Sequence, residues 1–300
     1  MVSLPVDVLR GSAEEDLWRL EGAAMAEDFG SGMLWRSTEG AVGAALAPVG
    51  AGGIEEAARG VYEAIFSSLD DLYLYRMWNF LPGINRDVEG LEEYRRFNVG
   101  RRDAYAARFG DGAVERMPAA SAVGCRGDAL VTVFVAGRDR PRYVENPKQV
   151  PAYCYPIEYG PAPPSFARGT VVQGESGLLG FVAGTASIVG HASVAAGDVA
   201  GQIETAVENL EAVLQAMELE NLPPFSRLPA EWMRVYLRNA KDLPVLDAAL
   251  RARFGGDFEP VVLRADICRR ELDVELELSF KMAGGGLEDG SGGASLVFGE

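Results

Sequence analysis

Residues 264–278, RADICRRELDVELEL, bring a cysteine, two adjacent arginines and a central carboxylate into one short stretch. Glu275 stands between Val274 and Leu276, and apolar surroundings raise the pKa of a carboxyl group, which proton transfer near neutral pH requires. The alternation V-E-L-E-L also fits a strand whose acids, Glu275 and Glu277, face solvent. From these residues alone the solvent-face interpretation is favoured.

A second group of candidate residues lies at 143–169, YVENPKQVPAYCYPIEYGPAPPSFARG, here called the Pro/Tyr segment. Its six prolines rule out a long helix or a central strand, and its four tyrosines are unlike the polar composition of a flexible linker. We therefore expect it to pack against the rest of the chain. Its hydroxyl-bearing rings, together with Gln149 and Arg168, suit the orientation of a polar ring-shaped ligand. They fit equally well an interface between two halves of the chain.

An internal repeat predicts the elements that position these residues. In each half, an apolar opening segment is followed by a helix, a strand, a helix and two strands, as the hydrophobic spacing indicates. In the first half these elements are predicted at 32–49, 53–71, 72–81, 90–110, 120–125 and 128–137. In the second half they are predicted at 178–191, 197–217, 231–239, 243–255, 260–268 and 272–280. Asp198 is the predicted N-cap of one helix and Gly255 the C-cap of another.

The repeat predicts an α+β fold of two tandem units, each a mixed sheet covered by helices on one face. The expected divisions are an N-terminal repeat, the Pro/Tyr segment, a C-terminal repeat and a disordered Gly/Ser-rich tail, at 1–142, 143–169, 170–282 and 283–300. An offset of 143 residues superposes Cys125 on Cys268 and Thr132 on Glu275. The acid is therefore present in one copy only.

Composition excludes several classes of function. A chain of 300 residues with 48% hydrophobic content is long and apolar enough to fold, and no apolar run approaches the roughly 18 residues of a membrane helix. A net charge of −16 argues against nucleic acid or an anionic membrane as a partner. Three widely spaced cysteines and the single His191 predict no disulfide framework and no metal site. We also expect no cofactor. Because no signal-peptide pattern follows the N-terminus, we expect a cytoplasmic protein.

Three motifs of the second half resemble the RidA/YjgF family of small α+β proteins. They are GTASIVGH at 184–191, DVAGQIETAVENLEAVL at 198–214 and VELE at 274–277. Over the whole chain the resemblance narrows to the chorismatases, tandem RidA-like enzymes that remove pyruvate from chorismate. The matching stretches are RMWNFLPGIN with YRRFNVGRRDAY, the Pro/Tyr segment from residue 146, GTASIVGH, and ADICRREL leading into VELE.

The resemblance implies that Glu275 is a general acid, which protonates the methylene carbon of the enolpyruvyl side chain. It also implies that Cys268 marks the branch that makes 3-hydroxybenzoate, in which a ring hydroxyl displaces pyruvate and the ring becomes aromatic. Cys268 also fits a small buried strand residue, as Cys125 does in the first half. Glu277 is expected on the opposite face of the strand, where Glu277→Gln would be nearly silent.

Chorismate carries two carboxylates, which an acidic protein has to meet with arginines or with neutral donors. Arg168 and Arg101 are the arginine candidates, with Arg102 as an alternative to Arg101. Neutral hydrogen bonds and close backbone approach are expected from Gln149, Tyr153, Tyr159, Gly184 and Thr185. His191 is expected to be structural.

Alternative functions stay open at this point. The family resemblance would place a basic residue or histidine at Cys154 and an arginine at Ala162, so 3,4-dihydroxycyclohexa-1,5-dienoate and 4-hydroxybenzoate are alternative products. A RidA-type imine or enamine deaminase needs an arginine that aligns near Val262, with Arg264 close by. A non-catalytic ligand-binding module would retain only the pocket. We expect a monomer, because tandem duplication can replace the contacts between subunits.

Overall fold

The computed structural model describes residues 2–4, 6–12, 14–18, 25–174, 177–282 and 294–298. Most of the tail expected to be disordered lies outside the described residues. Ala294–Phe298 of that tail forms a strand, which differs from the expectation for this segment. It pairs with strands near the N-terminus, so the two ends of the chain meet.

Helices and strands alternate along the chain much as the hydrophobic spacing predicts. The elements up to residue 137 are β1 (Val2–Leu4), β2 (Asp7–Arg10), β3 (Glu14–Trp18), β4 (Met25–Asp28), β5 (Gly32–Arg36), β6 (Gly40–Pro48), α1 (Gly53–Ser68), β7 (Tyr73–Pro82), β8 (Asp87–Val88), β9 (Leu91–Glu92), α2 (Glu93–Phe109), β10 (Ala119–Cys125) and β11 (Ala129–Gly137). Those that follow are β12 (Arg142–Val144), β13 (Gly169–Gly174), β14 (Gly177–Ala186), β15 (Ile188–Val189), β16 (Ala192–Ser193), α3 (Val199–Ala216), β17 (Met233–Leu237), α4 (Leu243–Phe254), β18 (Val261–Arg264), β19 (Val274–Met282) and β20 (Ala294–Phe298). Short 3₁₀ helices lie at Gly110–Gly112, Val114–Arg116, Ala152–Cys154, Ile157–Tyr159, Phe225–Arg227, Ala230–Trp232 and Ala240–Asp242.

Two helix ends carry the predicted capping residues. The Asp198 carboxylate accepts a hydrogen bond from the Gly201 amide at 3.2 Å, which satisfies a free donor at the start of α3. Gly255 follows α4 with a φ of 101°, and its amide donates to the Arg251 carbonyl. Both predicted caps are confirmed.

The first sheet has the strand order β10-β7-β11-β6-β5-β4, in which β10 and β7 are parallel and the other neighbours antiparallel. A parallel pair needs a crossover connection, which α2 provides. Helices α1 and α2 cover one face, where Tyr62, Phe66, Phe97 and Phe134 pack in a common core. The other face carries no helix.

The second sheet repeats this arrangement in the order β12-β13-β14-β19-β17-β18-β2. Its parallel pair is β17 and β18, connected through α4. Helices α3 and α4 cover one face over a core that includes Leu210, Leu246, Leu276 and Phe280. The edge strand β2 comes from the N-terminus, although we assigned residues 1–142 to the first repeat.

The helix-free faces of the two sheets pack against each other, so the molecule has four layers with the helices outside. Trp78 and Val133 of the first sheet meet Phe181, Tyr236 and Leu263 of the second in this inner core. A charged side chain on either inner face is therefore withdrawn from water, and its charged form needs a partner.

The two closing strands, β11 and β19, do not match at the offset of 143 residues. Thr132 lies on the helix-covered face of its sheet and donates to Asn79 Oδ1 at 3.0 Å. Glu275 lies on the inner face, where β11 presents Val131 and Val133. The prediction that Glu275 corresponds to Thr132 is therefore wrong by one residue, because successive residues of a strand point to opposite faces of the sheet. The inner face of the first copy remains apolar at this point.

Candidate active site

A cavity of about 380 Å³ lies between the two repeats, within the size range of small-molecule sites. Its wall comes from α2, β10, β14, the Pro/Tyr segment and the loops around β19. Six of the residues predicted from sequence meet there: Arg101, Tyr159, Arg168, Gly184, Cys268 and Glu275. The strand topology explains this convergence, since β10 and β14 belong to facing sheets.

Glu275 sits on β19 with its side chain on the inner face and only 3% of its surface exposed. Its Oε1 atom has no hydrogen-bond partner among the described residues. Burial, and to a lesser extent the charge of Glu277, raise the pKa of Glu275 and Arg76 and Arg168 lower it, with a net value of about 8. The carboxyl is therefore mainly protonated at neutral pH and can donate a proton into the cavity.

Glu277 does not lie on the opposite face from Glu275, and that expectation is wrong. Residues two apart on a strand share a face, so both acids point between the sheets, and Glu277 is 1% exposed. The solvent-face interpretation is also wrong, because the face that both acids share is buried between the sheets. Five groups bind the Glu277 carboxylate: Arg76 Nη2 at 2.6 Å, Arg234 Nη1 at 2.6 Å, Ser121 Oγ at 2.5 Å, Trp78 Nε1 at 2.9 Å and Tyr236 OH at 3.1 Å.

The two neighbouring acids are thus held in opposite protonation states. Burial alone would raise the pKa of Glu277, but Arg76 and Arg234, with the hydrogen bonds from Ser121 and Trp78, hold it below the usual value. The Glu277 carboxylate stays ionised, while the Glu275 carboxyl, whose Oε1 has no partner in the described part of the chain, keeps its proton. Such a separation is typical of acid–base sites.

Gly184 brings the backbone of β14 against the acid. It lies where the pairing of β14 with β19 shifts register, between Val182 and Thr185. A Cβ at this position would stand 1.9 Å from Glu275 Oε1 and 2.9 Å from Ser121 Oγ, far inside contact distance. The Gly184 amide donates to Ser121 Oγ at 2.9 Å. This close approach requires glycine.

Two buried arginines in the cavity wall keep unused donors. Arg168 donates to the Tyr155 hydroxyl at 2.7 Å, and Arg101 donates to Asn98 Oδ1 at 2.8 Å. In the described part of the chain, the Nε atom of each is buried without a hydrogen-bond partner. Both guanidinium groups lie over the ring of Phe166. Arg102, the alternative to Arg101, points outward and pairs with Asp103 at 3.8 Å.

Cys268 adds a neutral group beside the acid. Burial, together with a smaller contribution from the charge of Glu275, raises the pKa of its thiol to about 12. The thiol therefore stays protonated, and Cys268 can shape and polarise the cavity without acting as a thiolate nucleophile. Burial also raises the pKa of Cys125 to about 12, but Cys125 does not line the cavity.

Three predicted ligand-binding residues lie outside the cavity wall. The Gln149 amide donates to the carbonyl of Ile188 at 2.9 Å, and Ile188 itself lines the cavity. Thr185 donates to the Ala183 carbonyl at 2.7 Å, and Tyr153 packs against the helix-covered core of the first repeat. Cys154 and Ala162, where the sequence departs from the family pattern, also lie away from the wall.

Sequence reasoning missed several wall residues. Arg269 stacks on the Tyr159 ring at 4.2 Å and donates to the His191 carbonyl at 3.0 Å, while His191 Nδ1 lies 3.1 Å from the Tyr159 hydroxyl. Arg269 could have been predicted as a wall residue, because it directly follows Cys268 in the sequence. Tyr155 and Phe166 were visible as aromatic residues of the Pro/Tyr segment. Ser121 gave no signal, because its role depends on contact with the other repeat.

The described residues contain no group of three or more His, Cys, Asp or Glu side chains that could hold a metal ion. Among the helices described, none has the length and apolar character needed to cross a membrane.

Comparison with known proteins shows which families this sequence is similar to. Residues 16–136 match the family model described as chorismatase FkbO/Hyg5-like, N-terminal. A 3-hydroxybenzoate synthase of Streptomyces hygroscopicus is 38% identical over 234 residues, which cover 74% of this chain and 68% of that protein. A chorismatase of Streptomyces rapamycinicus is 36% identical over 279 residues, covering 87% of this chain and 80% of that protein.

A solved structure supports the same assignment. The crystal structure of a chorismatase superposes with a TM-score of 0.76 and 31% identity, covering 86% of this chain and 79% of the other. This likeness confirms the predicted α+β fold of two tandem RidA/YjgF-like repeats. Together with the two curated relatives, it shows that the chain belongs to the chorismatase family.

Proposed function

We propose that this protein converts chorismate to 3-hydroxybenzoate and pyruvate, with Glu275 as general acid. The observation that carries the proposal is a buried carboxyl with a raised pKa, at the wall of a cavity that also holds two arginines. Among the described residues, one oxygen of this carboxyl and the Nε atom of each arginine have no hydrogen-bond partner. The 3-hydroxybenzoate synthase among the relatives supports this choice of product.

The first step is proton transfer from Glu275 to the methylene carbon of the enolpyruvyl group. The side chain of the substrate then carries an oxocarbenium ion, and its ether bond to the ring is weakened. Because only the protonated acid can act, turnover should decline as pH rises through the Glu275 pKa of about 8.

Arg168 and Arg101 are proposed to bind the two carboxylates of chorismate. Their Nε atoms, buried without partners among the described residues, offer donors to an incoming anion. A charge-assisted hydrogen bond would satisfy each donor, which is otherwise costly to bury. The free donors thus favour an anionic substrate although the net charge of the protein is −16.

The adjacent ring hydroxyl displaces pyruvate, so that its oxygen forms a new bond to the ring carbon that carried the pyruvate and an epoxide results. The original carbon–oxygen bond of that hydroxyl then breaks as the ring loses a proton, which gives the aromatic product. The atoms of chorismate equal those of 3-hydroxybenzoate plus pyruvic acid, so no water is consumed. The proton released by the ring returns the acid to its starting state. Formation of the dihydroxycyclohexadiene acid would instead consume one water, and the neutral thiol of Cys268 stands where it could influence that choice.

The direct experiment is incubation of the purified protein with chorismate, with pyruvate measured enzymatically and the ring product identified by chromatography. We expect equal amounts of pyruvate and 3-hydroxybenzoate. Ammonia release from an imino acid would favour the deaminase instead, and chorismate binding without pyruvate would identify a binding module. Against the deaminase, Val262 is buried in the helix-covered core and Arg264 lies at the outer edge, 3.9 Å from Asp7.

The Cys268→Ala variant tests the product assignment. We expect pyruvate release to persist within about 10-fold of wild type, because the acid is untouched, while the product shifts from 3-hydroxybenzoate towards the dihydroxycyclohexadiene acid. Chromatography of the products gives the ratio. Cys125→Ala is the matched control, since it removes an equally protonated thiol outside the cavity. An unchanged product ratio in Cys268→Ala would remove Cys268 from the mechanism.

The Gly184→Ala variant tests the close approach of β14 to the acid. The new methyl group would displace the Glu275 carboxyl, and a shift of about 1 Å can cost roughly 100-fold in rate. Pyruvate release should fall by that order. In Gly60→Ala, on the exposed side of α1, no atom of the described residues lies within 4 Å of the added Cβ, and activity should be retained. Equal activity in both variants would contradict the geometry described for Gly184.

We also propose that the protein is cytoplasmic and monomeric. The packing of two repeats face to face within one chain supports the monomer, because it buries the helix-free face of each sheet. Sedimentation at micromolar concentration measures the oligomeric state.

A further inference from the structure

Glu277 forms the centre of a polar cluster that connects the two sheets. Arg76, Trp78 and Ser121 reach it from the first sheet, and Arg234 and Tyr236 reach it from the second. All five partners are at most 5% exposed. The two arginines hold the carboxylate ionised, so a full negative charge is kept in the inner core.

This charge lies directly beside the acid of the site. Glu275 and Glu277 are two residues apart on one face of β19. Ser121 contacts Glu277 itself and the backbone beside Glu275. Its hydroxyl donates to Glu277 Oε2 and accepts a hydrogen bond from the Gly184 amide, and a Cβ added at Gly184 would stand 1.9 Å from Glu275 Oε1. The charged and titratable groups around Glu275 are Glu277 on its own strand, Tyr236 opposite it on β17, and Arg76, Arg168, Cys268 and Tyr94. Glu277 is the acidic partner in this set.

We propose that Glu277 is a positioning residue, whose permanent negative charge keeps a proton on Glu275, and that Arg76 moderates this effect from the first repeat. The inference rests on the proposed role of Glu275 as general acid. It also gives the first repeat a part in the reaction, since Arg76 and Ser121 would fix the charge that sets the proton affinity of the acid in the second.

A purely structural role for the cluster predicts something else. If Glu277 only connected the two sheets, its loss would lower the melting temperature and the rate at all pH values alike. An electrostatic role moves the alkaline limb of the pH profile along the pH axis. Removal of a negative charge and removal of a positive charge should move this limb in opposite directions.

The experiment is the pH dependence of kcat/KM for pyruvate release from chorismate by the full chain. In Glu277→Gln the negative charge is lost while Arg76 and Arg168 still favour ionisation of Glu275, so the limb should move about one pH unit or more to lower pH. In Arg76→Met a cation is lost, and the limb should move to higher pH. Arg76→Lys keeps the charge and should return the limb close to its wild-type position.

The outcomes separate the two proposals. If Glu275→Gln retains full activity, the proposed function fails whatever the cluster does. If Glu275→Gln is inactive but the limb stays in place in folded Glu277→Gln and Arg76→Met, the role of Glu277 is overturned. Circular dichroism establishes folding in each variant. If Glu277→Gln does not fold, the test is the comparison of Arg76→Met with Arg76→Lys. An alkaline limb at the same pH in both of these variants would contradict the proposal.

Discussion

The Glu275→Gln variant is expected to release pyruvate from chorismate about 100-fold to 10,000-fold more slowly than wild type. Glutamine has nearly the shape of a protonated glutamic acid, so the buried side chain can occupy the same space on β19. It cannot deliver a carboxylic proton to the substrate. Substrate affinity should change little, and therefore kcat should fall while KM stays near its original value.

Steady-state kinetics with a pyruvate-coupled assay measure this loss, and Glu204→Gln on the exposed side of α3 is the control. Wild-type activity should decline above the Glu275 pKa of about 8, because the acid is lost when it ionises. The residual activity of Glu275→Gln should not show that decline. Full activity in this variant would refute the mechanism built on Glu275.

The Arg168→Met variant is expected to raise KM for chorismate roughly 10-fold to 100-fold. A hydrogen bond to a charged group contributes about 1.5 to 3 kcal/mol, and methionine retains most of the length of the side chain without its donors. The Glu275 carboxyl remains in place, so kcat at neutral pH should change less than KM. Steady-state kinetics over a wide range of chorismate concentration separate the two constants.

Arg102→Met is the matched control, because this arginine pairs with Asp103 at the surface and does not line the cavity. Its KM should remain within about twofold of wild type, as expected for a surface side chain. A large effect in Arg102→Met, with none in Arg168→Met, would mean that the substrate carboxylates bind elsewhere.

Local sequence signals predicted most of the secondary structure. The first helix was expected at 53–71 and is Gly53–Ser68, and the closing strand was expected at 272–280 and is Val274–Met282. Helix periodicity, strand alternation and capping act between residues a few positions apart, so the sequence carries them directly. The placement of Cys268 and Glu275 at one cavity followed from the family resemblance.

The environment of the acid could not be predicted in the same way. Strand alternation allows a face to be solvated or buried, and the inner face of β19 is buried because a second sheet covers it. Ser121 and Arg76 reach Glu277 across 156 and 201 residues of chain. Such contacts depend on how the sheets pack, so the sequence pattern suggested a solvent face where the structure has an ion cluster.

The position of β2 bears on how the chain folds during synthesis. Arg10 Nε donates to the Pro260 carbonyl across 250 residues, so the first strand of this sheet leaves the ribosome long before the segment that it pairs with. At a typical elongation rate its partner follows only after roughly 12 to 50 s, during which β2 has an unpaired edge. Closing so long a loop is slow. We expect the second sheet to reach its final form only after synthesis, and the two repeats to unfold together as one cooperative unit.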